Sequence, residues 1–417
     1  MFSDRISDYF EGVAAKYLSA VDADPGRSHQ HEIGGLPAAG FKQWLGTPGK
    51  TEEFRFKARQ IYIRDENEAL LTCESEVTWY DSRRKVAHRS PEYRLYYYDS
   101  QVTQQLSPGD FFLVAKMKDG TLLMVFTPAG SSIENQLRTL FGLGLIDERF
   151  RAGTLDSISL LLPLRLMLED LGIELSKPAV ADDQWLGQLV NAFGGVVFPG
   201  TADFSQFARE SIAKEVDPIT RPDDTLMGWM EHEEKLFRIY ERHLVQDRLR
   251  AGFGDNGDDV DEFISFSLSV QNRRKSRVGH AFEGHLDHLF RLHKLKFQQG
   301  RGKGHVTENN AKPDFLFPSF ADYSNPDFPS GNLIMLGAKT TCKDRWRQVL
   351  SEAARIPSKH LVTLEASISE TQTDEMASHH LQLVIPTSIH ETYTVRQQET
   401  LQDLQGFIDR IKEIQSI

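Results

Sequence analysis

The sequence changes its periodicity part-way along the chain, and this change constrains the fold more than any other feature. Between Phe54 and Thr127, short apolar runs are separated by brief polar breaks, and Asp119-Gly120 between the last two runs is typical of a β-hairpin turn. After Gly153 the spacing of apolar residues becomes helical, and towards the end helices alternate with strands. The sequence therefore predicts a mainly β domain followed by an α/β domain.

Three further segments complete this division. Residues 1–20 place their apolar side chains on one helical face, and residues 220–254 predict a long amphipathic helix that ends at Gly252 or Gly254. The stretch SKPAVADDQ has no period and is typical of a linker. We accordingly predict an N-terminal domain over 1–175, a linker over 176–195 and a C-terminal domain over 196–417.

Composition limits the class of protein. The chain has 417 residues, enough for two cores, and its two cysteines are too few for a disulfide framework. The first ten residues contain two aspartates and do not look like a signal peptide, so we expect a soluble cytoplasmic protein. The net charge of −12 argues against a protein that coats nucleic acid, although local basic clefts remain compatible with DNA binding.

One constellation of residues points to phosphodiester hydrolysis. Such chemistry needs a divalent metal held by carboxylates and a positive charge near the phosphate. Asp314 opens the apolar run FLFPS, and Lys339 ends the run NLIMLGAK. Apolar positions from Trp346 to Ala354 predict a helix that leaves Glu352 off its buried face, and Glu283 lies on an upstream helix. The spacing alone is also compatible with a strand-edge aspartate and a solvated lysine.

Longer motifs around these residues are more specific. The runs FEGHLDHLF, KPDFLFPS, GAKTTCKDRWRQVLSEA and LVIPTSIH closely resemble the catalytic domain of EcoRII-type restriction endonucleases, almost continuously from about Phe198 to Tyr393. The resemblance implies a PD-(D/E)xK-type α/β domain in which Asp314 and Glu352 bind Mg²⁺. It also implies that Lys339 positions the attacking water and that Glu283 completes the acidic site. The family has a small apolar residue at Gly337, where glycine is expected to loosen the strand end.

The resemblance also implies residues that contact DNA. Lys343, Asp344 and Arg345 are expected to read G·C pairs of a short site such as CCWGG, since Lys and Arg pair with guanine and Asp accepts from cytosine. The segment 272–304 reverses the overall acidic charge, and this favours phosphate contacts. The four candidates for phosphate contact are Arg273, Arg274, Lys275 and Arg277.

The N-terminal resemblance is weaker. The runs SHQHEIGGLPAAGF and HRSPEYRLYYY look like parts of the EcoRII-type effector domain, a DNA-binding pseudobarrel with flanking helices. The resemblance implies that this domain binds a second copy of the DNA site. The residues at the matching positions are His29, Gln30, Arg89, Glu92 and Arg94.

Three functions fit these observations. The first is a Mg²⁺-dependent type II endonuclease that cuts double-stranded DNA as a homodimer, with a cytosine methyltransferase protecting the host DNA. The second is a DNA-binding regulator that has kept the fold without cutting, although the presence of Asp314, Lys339 and Glu352 argues against it. The third is an endonuclease that acts on modified DNA, with the N-terminal domain as reader.

Overall fold

The computed structural model describes residues 5–23, 31–65, 70–86, 88–155, 160–173, 183–302, 304–342 and 345–416. The chain divides into two compact units. The N-terminal unit is formed by Ser3–Lys177 together with Ala366–Thr373, and the C-terminal unit by Pro178–Glu365 and Asp374–Ile417. The eight residues Ala366–Thr373 fall within the sequence predicted as the C-terminal domain, yet they group with the N-terminal unit.

The N-terminal unit is built on one mixed sheet. Its eight strands are β1 (Phe10–Tyr17), β2 (Glu32–Ile33), β3 (Phe54–Tyr62), β4 (Leu71–Asp81), β5 (Tyr93–Tyr96), β6 (Phe111–Met117), β7 (Leu122–Thr127) and β8 (Arg151–Ala152). They lie in the order β2-β5-β4-β3-β7-β6-β1-β8. The prediction of a mainly β N-terminal domain is confirmed.

Helices flank this sheet. The α-helices are α1 (Ala20–Ala23), α2 (Lys42–Leu45), α3 (Ser132–Leu140) and α4 (Leu162–Asp170), and short 3₁₀ turns occupy Ile6–Asp8, Leu36–Ala39 and Thr103–Gln105. The α3 helix hydrogen-bonds to the late segment of this unit, with Thr139 Oγ1 and Ser367 Oγ 2.8 Å apart. The Gln136 Nε2 atom donates to the Ala366 carbonyl at 3.2 Å. These bonds account for the grouping of Ala366–Thr373 with the N-terminal unit.

The predicted hairpin is present between β6 and β7. These strands pair antiparallel, and the backbone N–H of Met117 donates to the Thr121 carbonyl at 2.9 Å. Gly120 has a φ of 93°, a left-handed conformation that glycine adopts without steric cost. The Asp-Gly pair therefore closes the hairpin as its sequence predicts.

The helix predicted over residues 1–20 is wrong. Phe10–Tyr17 forms β1, which pairs antiparallel with both β6 and β8. Nearly every residue of this strand is buried, including the consecutive Ala14 and Ala15. A strand covered on both faces has a continuous apolar sequence, which fits a helical period equally well. Only pairing with β6 decides between the two.

The C-terminal unit contains the long helices. Its α-helices are α5 (Asp183–Phe193), α6 (Thr201–Ser211), α7 (Pro222–Ala251), α8 (Val260–Leu292), α9 (Phe320–Ser324), α10 (Arg345–Ser351), α11 (Glu370–Ser378, whose first residues group with the N-terminal unit), α12 (Val395–Gln398) and α13 (Leu404–Gln415). Short 3₁₀ turns occupy Glu308–Asn310, Ser330–Asn332 and Thr387–Thr392. The α7 helix confirms the predicted long helix, and Gly252, with a φ of 78°, ends it.

Two predicted boundaries in this unit are corrected. The linker expected over 176–195 is wrong from Asp183 onward, because α5 buries Leu189 against a cluster that includes Phe237 and Tyr240. The stretch DNGDDVDE has the composition of an acidic loop, yet the α8 helix begins within it, at Val260. It starts where the Asp259 side chain accepts from the backbone N–H of Glu262 at 2.8 Å.

A four-stranded mixed sheet lies in the C-terminal unit. Its strands are β9 (Phe315–Phe317), β10 (Ile334–Lys339), β11 (Lys359–Thr363) and β12 (Leu381–Val384), in the order β12-β11-β10-β9. β9 runs antiparallel to β10, whereas β10, β11 and β12 are parallel. The predicted alternation of helices and strands is present, and the α/β class is confirmed. Among the residues described in both units, no helix is long and apolar enough to cross a bilayer.

Candidate active site

Strand pairing brings Asp314 to Lys339. In the antiparallel pair, Phe315 of β9 lies opposite Leu336 of β10, so the residue before β9 sits beside the end of β10. The Asp314 Oδ2 atom accepts from Lys339 Nζ at 2.8 Å and from the backbone N–H of Ala338 at 2.8 Å. Both side chains are partly buried, with exposed fractions of 16% and 22%. The predicted aspartate and lysine therefore meet at one edge of the sheet.

Gly337 lets α10 approach β10 closely. A Cβ atom at this position would lie 2.8 Å from Val349 Cγ2, which is closer than carbon atoms normally approach. Trp346 and Val349 of α10 are fully buried. The glycine expected to loosen the strand end thus forms the contact surface for α10, the helix that precedes Glu352.

The helix before Glu352 is shorter than predicted. It ends at Ser351, and Ala353 has a left-handed φ of 49°. The prediction that the helix continues to Ala354 is therefore wrong for its last residues. Glu352 lies in the turn after this helix. The backbone of the turn, and not the helical period, therefore sets the direction of its carboxylate.

The pKa of Glu352 is raised to about 7, first by burial and then by the negative charge of Asp314. Lys339 and Lys359 act in the opposite direction. The Asp314 carboxylate is thus close enough to oppose ionisation of Glu352. The arrangement favours a bound cation, which would relieve this repulsion.

Glu283 reaches the same carboxylate cluster from α8. Its pKa is raised by burial and then by Asp314, while Arg301 and Lys339 lower it. Its Oε2 atom accepts a hydrogen bond from Arg301 Nη2. The structure thus places all four predicted catalytic residues in one electrostatic environment.

These residues suit a hard divalent cation. Mg²⁺ prefers oxygen ligands, needs only one or two carboxylates and keeps several waters. Among the described residues, no three Asp, Glu, His or Cys side chains converge on one metal position. Asp314 and Glu352 supply carboxylate oxygens, which are the ligands that a hard divalent cation prefers.

Sequence reasoning missed Lys359. This β11 residue is only 8% exposed, and its Nζ donates to the Leu350 carbonyl at 2.9 Å. Burial lowers its pKa, whereas the charges of Glu352 and Glu308 raise it. A lysine inside a strand whose five residues are all buried is an unusual sequence feature, and it marks an internal partner.

The residues expected to read bases are only partly described. Lys343 and Asp344 lie outside the described residues, so their predicted role stays a prediction. Arg345 begins α10 and is exposed. Arg345 lies a few residues after Lys339, the predicted catalytic lysine at the end of β10. Its side chain is therefore accessible to DNA close to this lysine in the sequence.

The four arginines and lysines expected to contact phosphate differ in their surroundings. Lys275 is exposed, and Arg273 lies over the Phe198 ring at 5.2 Å. Arg274 Nε donates to Glu241 Oε2 at 2.8 Å. The structure contradicts the role of Arg277, which is only 7% exposed and forms an ion pair with Glu234.

In the N-terminal unit, the expected DNA contacts are also divided. His29 and Gln30 lie outside the described residues, and Arg89 is exposed. Arg94 donates to Glu92 at 2.9 Å and to Glu32 at 2.9 Å. Glu92 and Arg94 therefore form one ion-paired group with Glu32 of β2, while Arg89 is accessible.

Comparison with known proteins now identifies the C-terminal region. Residues 237–408 match the family model described as EcoRII C terminal. The type II restriction enzyme EcoRII of Escherichia coli is 42% identical over 211 residues. That match covers 51% of this chain and 50% of the relative, so the chain spans about half the length of the relative it matches.

All four predicted catalytic residues fall within the EcoRII C-terminal region, and the resemblance to EcoRII-type restriction endonucleases is confirmed there. Two solved structures are also similar. Metal-depleted Ecl18kI in complex with uncleaved, modified DNA has a TM-score of 0.44 and 16% identity, covering 56% of this chain and 82% of that chain. The PspGI–substrate DNA complex has a TM-score of 0.43 and 16% identity, covering 52% and 94%.

Proposed function

We propose that this protein is a Mg²⁺-dependent type II restriction endonuclease that hydrolyses phosphodiester bonds at a short site in double-stranded DNA. The observation that carries the proposal is the contact between Asp314 Oδ2 and Lys339 Nζ at 2.8 Å, beside Glu352, within the EcoRII C-terminal region. It combines a metal-binding carboxylate with a cation at one strand edge, as metal-assisted hydrolysis requires.

Each residue has a distinct role in this proposal. Mg²⁺, held by Asp314 and Glu352, would polarise the scissile phosphate and lower the pKa of a bound water. Lys339 orients the attacking water and stabilises the negative charge that develops on the phosphate. The Ala338 N–H fixes Asp314, and Arg301 holds Glu283 beside the two ligands. Glu352 must lose its proton before it binds a cation.

For DNA recognition, we assign base reading to Lys343, Asp344 and Arg345, with a G·C-flanked site resembling CCWGG. The exposed position of Arg345 supports this assignment, since arginine pairs with guanine O6 and N7 in the major groove. Phosphate contacts are assigned to Arg273, Arg274 and Lys275. Buried, ion-paired Arg277 is assigned a structural role.

The N-terminal unit is proposed to bind a second, effector copy of the DNA site. Exposed Arg89 is suited to a phosphate or guanine, whereas Glu92 and Arg94 shape the adjacent surface by their ion pair. His29 and Gln30 remain part of this assignment. We further propose a homodimer that works in the cytoplasm, with a cytosine methyltransferase protecting the cognate sites.

Plasmid cleavage tests this function. The full-length protein with Mg²⁺ is expected to cut unmethylated plasmid carrying several CCWGG sites into discrete fragments. Lys339→Ala is expected to abolish cutting, whereas Lys214→Ala, which removes an exposed lysine from the same unit, is expected to cut normally. Sequencing the fragment ends gives the recognition site and the cut position.

The same assay separates the competing functions. Cleavage of methylated plasmid alone would favour an endonuclease that depends on modified DNA. Tight DNA binding without cleavage of either plasmid would favour a regulator. The direct contact between Asp314 and Lys339 disfavours the regulator, because a protein that only binds DNA has no need of it.

A further inference from the structure

The turn that carries Glu352 is held by side chains from the segment that carries Asp314. Three successive backbone N–H groups follow Glu352, and each donates to a different side chain. Ala353 N donates to Thr307 Oγ1 at 3.3 Å, and Ala354 N donates to Glu308 Oε2 at 3.1 Å. Arg355 N donates to the Tyr323 hydroxyl at 3.2 Å.

Two of these acceptors, Tyr323 and Glu308, are hydrogen-bonded to each other. The Tyr323 hydroxyl donates to the Glu308 carboxylate, at 2.6 Å from Oε1 and 2.7 Å from Oε2. The hydroxyl therefore donates to Glu308 and accepts from Arg355. Tyr323 is only 6% exposed, so its ring position is fixed by packing. We call Thr307, Glu308 and Tyr323 the turn cradle.

The cradle flanks Asp314 in the chain. Thr307 and Glu308 precede Asp314, Tyr323 follows it on α9, and Asp314 itself lies immediately before β9. Arg355 strengthens the connection, since its Nη1 donates to the carbonyls of Tyr323 at 2.5 Å and of Asn325 at 2.6 Å. The two carboxylates of the proposed metal site are therefore joined through their own flanking segments.

The turn needs such support. Ala353 adopts a left-handed φ of 49°, which costs energy in a residue with a Cβ atom. The short α10 helix ends just before Glu352, so helical hydrogen bonding does not fix the direction of this side chain. Lys359 Nζ holds the Leu350 carbonyl from the other side at 2.9 Å.

We propose that the turn cradle is a positioning device, in which Thr307, Glu308 and Tyr323 set the distance between Glu352 and Asp314 for one divalent cation. The inference rests on the proposed function for the identity of the two metal ligands. None of the cradle residues contacts the reacting phosphate in this proposal. Supporting residues of metal ligands typically change metal affinity or activity about 10–100-fold when they are lost.

Tyr323→Phe is the sharpest test, because it removes one hydroxyl that makes contacts on both sides of the turn. The matched control is Tyr240→Phe, which removes a hydroxyl that accepts from Gly195 N at 3.1 Å and donates to the Val197 carbonyl at 3.3 Å. Tyr240 lies in the same unit but on α7, away from the Glu352 turn in the chain. Both variants keep the aromatic ring.

The first readout is the affinity of the full-length protein for Mn²⁺ in the presence of a CCWGG duplex. The electron paramagnetic resonance signal of free Mn²⁺ measures this affinity. Tyr323→Phe is expected to weaken binding by about 10-fold or more, and Tyr240→Phe by less than about 2-fold. Glu308→Gln, which retains an oxygen acceptor for Ala354 N, is expected to lose less affinity than Glu308→Ala. The second readout is the Mg²⁺ concentration for half-maximal cleavage, which should rise for Tyr323→Phe.

Equal Mn²⁺ affinity in Tyr323→Phe and the parent would overturn the proposal, as would equal losses in Tyr323→Phe and Tyr240→Phe, which would indicate a general loss of stability. A parent protein that binds no Mn²⁺ would overturn it as well. If the parent binds Mn²⁺ but leaves every plasmid uncut, the endonuclease function fails, while the difference between the variants still decides the role of the cradle.

Discussion

At the scale of single residues, the site concentrates three carboxylates around one lysine. Lys339 forms its ion pair with Asp314, while burial and the Asp314 charge raise the pKa values of Glu283 and Glu352. Without a cation this arrangement is unfavourable, because neighbouring negative charges repel one another in a partly desolvated site. Stability is thus given up locally to prepare a cation site.

Glu352→Gln should stabilise the metal-free protein above neutral pH. The folded-state pKa of Glu352, about 7, exceeds its unfolded value, so the unfolded chain releases this proton first as the pH rises. The parent therefore loses stability as the pH rises from the unfolded pKa to about 7. After a discount for solvent screening, we expect the variant to gain up to about 2 kcal/mol near pH 8.

Urea unfolding in the presence of a chelator, repeated across this pH range, measures the effect. The gain should shrink towards the unfolded pKa of the glutamate, about 4.5, and disappear below it, where the carboxyl group is protonated in both states. Asp374→Asn, at an exposed carboxylate paired with Arg396, is the control and should show no such gain. A pH-independent gain in Glu352→Gln would contradict the assigned pKa.

At the scale of elements, helix and strand contacts set the site as strongly as charges do. The approach of α10 to β10 depends on the missing side chain at Gly337, because an added Cβ would lie 2.8 Å from Val349 Cγ2. This contact fixes the height of the helix above the strand that ends in Lys339. Small shifts here are transmitted to the neighbouring turn at Glu352 since the packed interior is dense.

Gly337→Ala is expected to destabilise the protein by about 1–3 kcal/mol through overpacking against Val349. Val349→Ala alone should destabilise it by opening a cavity. The loss in free energy of unfolding in the double variant should be about 1 kcal/mol smaller than the sum of the two single losses. The new methyl group enters the space that the Val349 side chain leaves. Urea unfolding of all four proteins measures this coupling, and strict additivity would argue against the contact.

The helix pair α7–α8 carries both a buried and an exposed cation. Arg277 of α8 pairs with buried Glu234 of α7 and lies 3.6 Å from the centroid of the Phe237 ring. Two positions earlier, Lys275 is exposed. The same basic run thus has one arginine turned into the helix interface and one lysine turned to solvent.

Arg277→Ala is expected to lower the free energy of unfolding by about 3 kcal/mol, because it leaves a buried carboxylate with one cation fewer. Lys275→Ala should keep the parental stability and reduce the slope of log K against log salt for DNA binding by about one. Chemical denaturation and fluorescence anisotropy at several salt concentrations test both. An unchanged salt slope in Lys275→Ala would remove this residue from the DNA interface.

At the scale of the whole molecule, the chain carries a net charge of −12 although its proposed substrate is a polyanion. DNA binding must therefore rely on local fields, such as the exposed Arg345 and Lys275 of the C-terminal unit and Arg89 of the N-terminal unit. Each unit has its own sheet, so each can present one such surface. This organisation agrees with the proposal that the two units bind separate copies of the DNA site.

A homodimer is the expected state in solution. Each chain has one proposed site, and a two-fold pair of sites suits cleavage of both strands of a nearly symmetric DNA sequence. With a chain mass of 47.4 kDa, light scattering should give about twice that mass. A monomeric mass in the presence and absence of DNA, with double-strand cleavage retained, would contradict this expectation.

The sequence alone determined the order of elements around the site. Asp314 before one apolar run, Lys339 at the end of the next and the Asp119-Gly120 turn are local signals, because each depends on neighbours within a strand or turn. The long helix α7 was predictable for the same reason, since its buried face repeats over many residues. Local periodicity therefore specified the strands beside the site, whereas the roles of the catalytic candidates came from the resemblance to EcoRII-type endonucleases.

Only the tertiary structure decided features that depend on partners distant in the chain. Phe10–Tyr17 became a strand through pairing with β6, Arg277 was buried by Glu234, and Tyr323 joined the Glu352 turn through Glu308. The sequence near each residue fits alternatives, such as a helix or a solvated arginine. Burial and hydrogen bonding with remote segments select among them, because these terms exceed the weak local preferences of the chain.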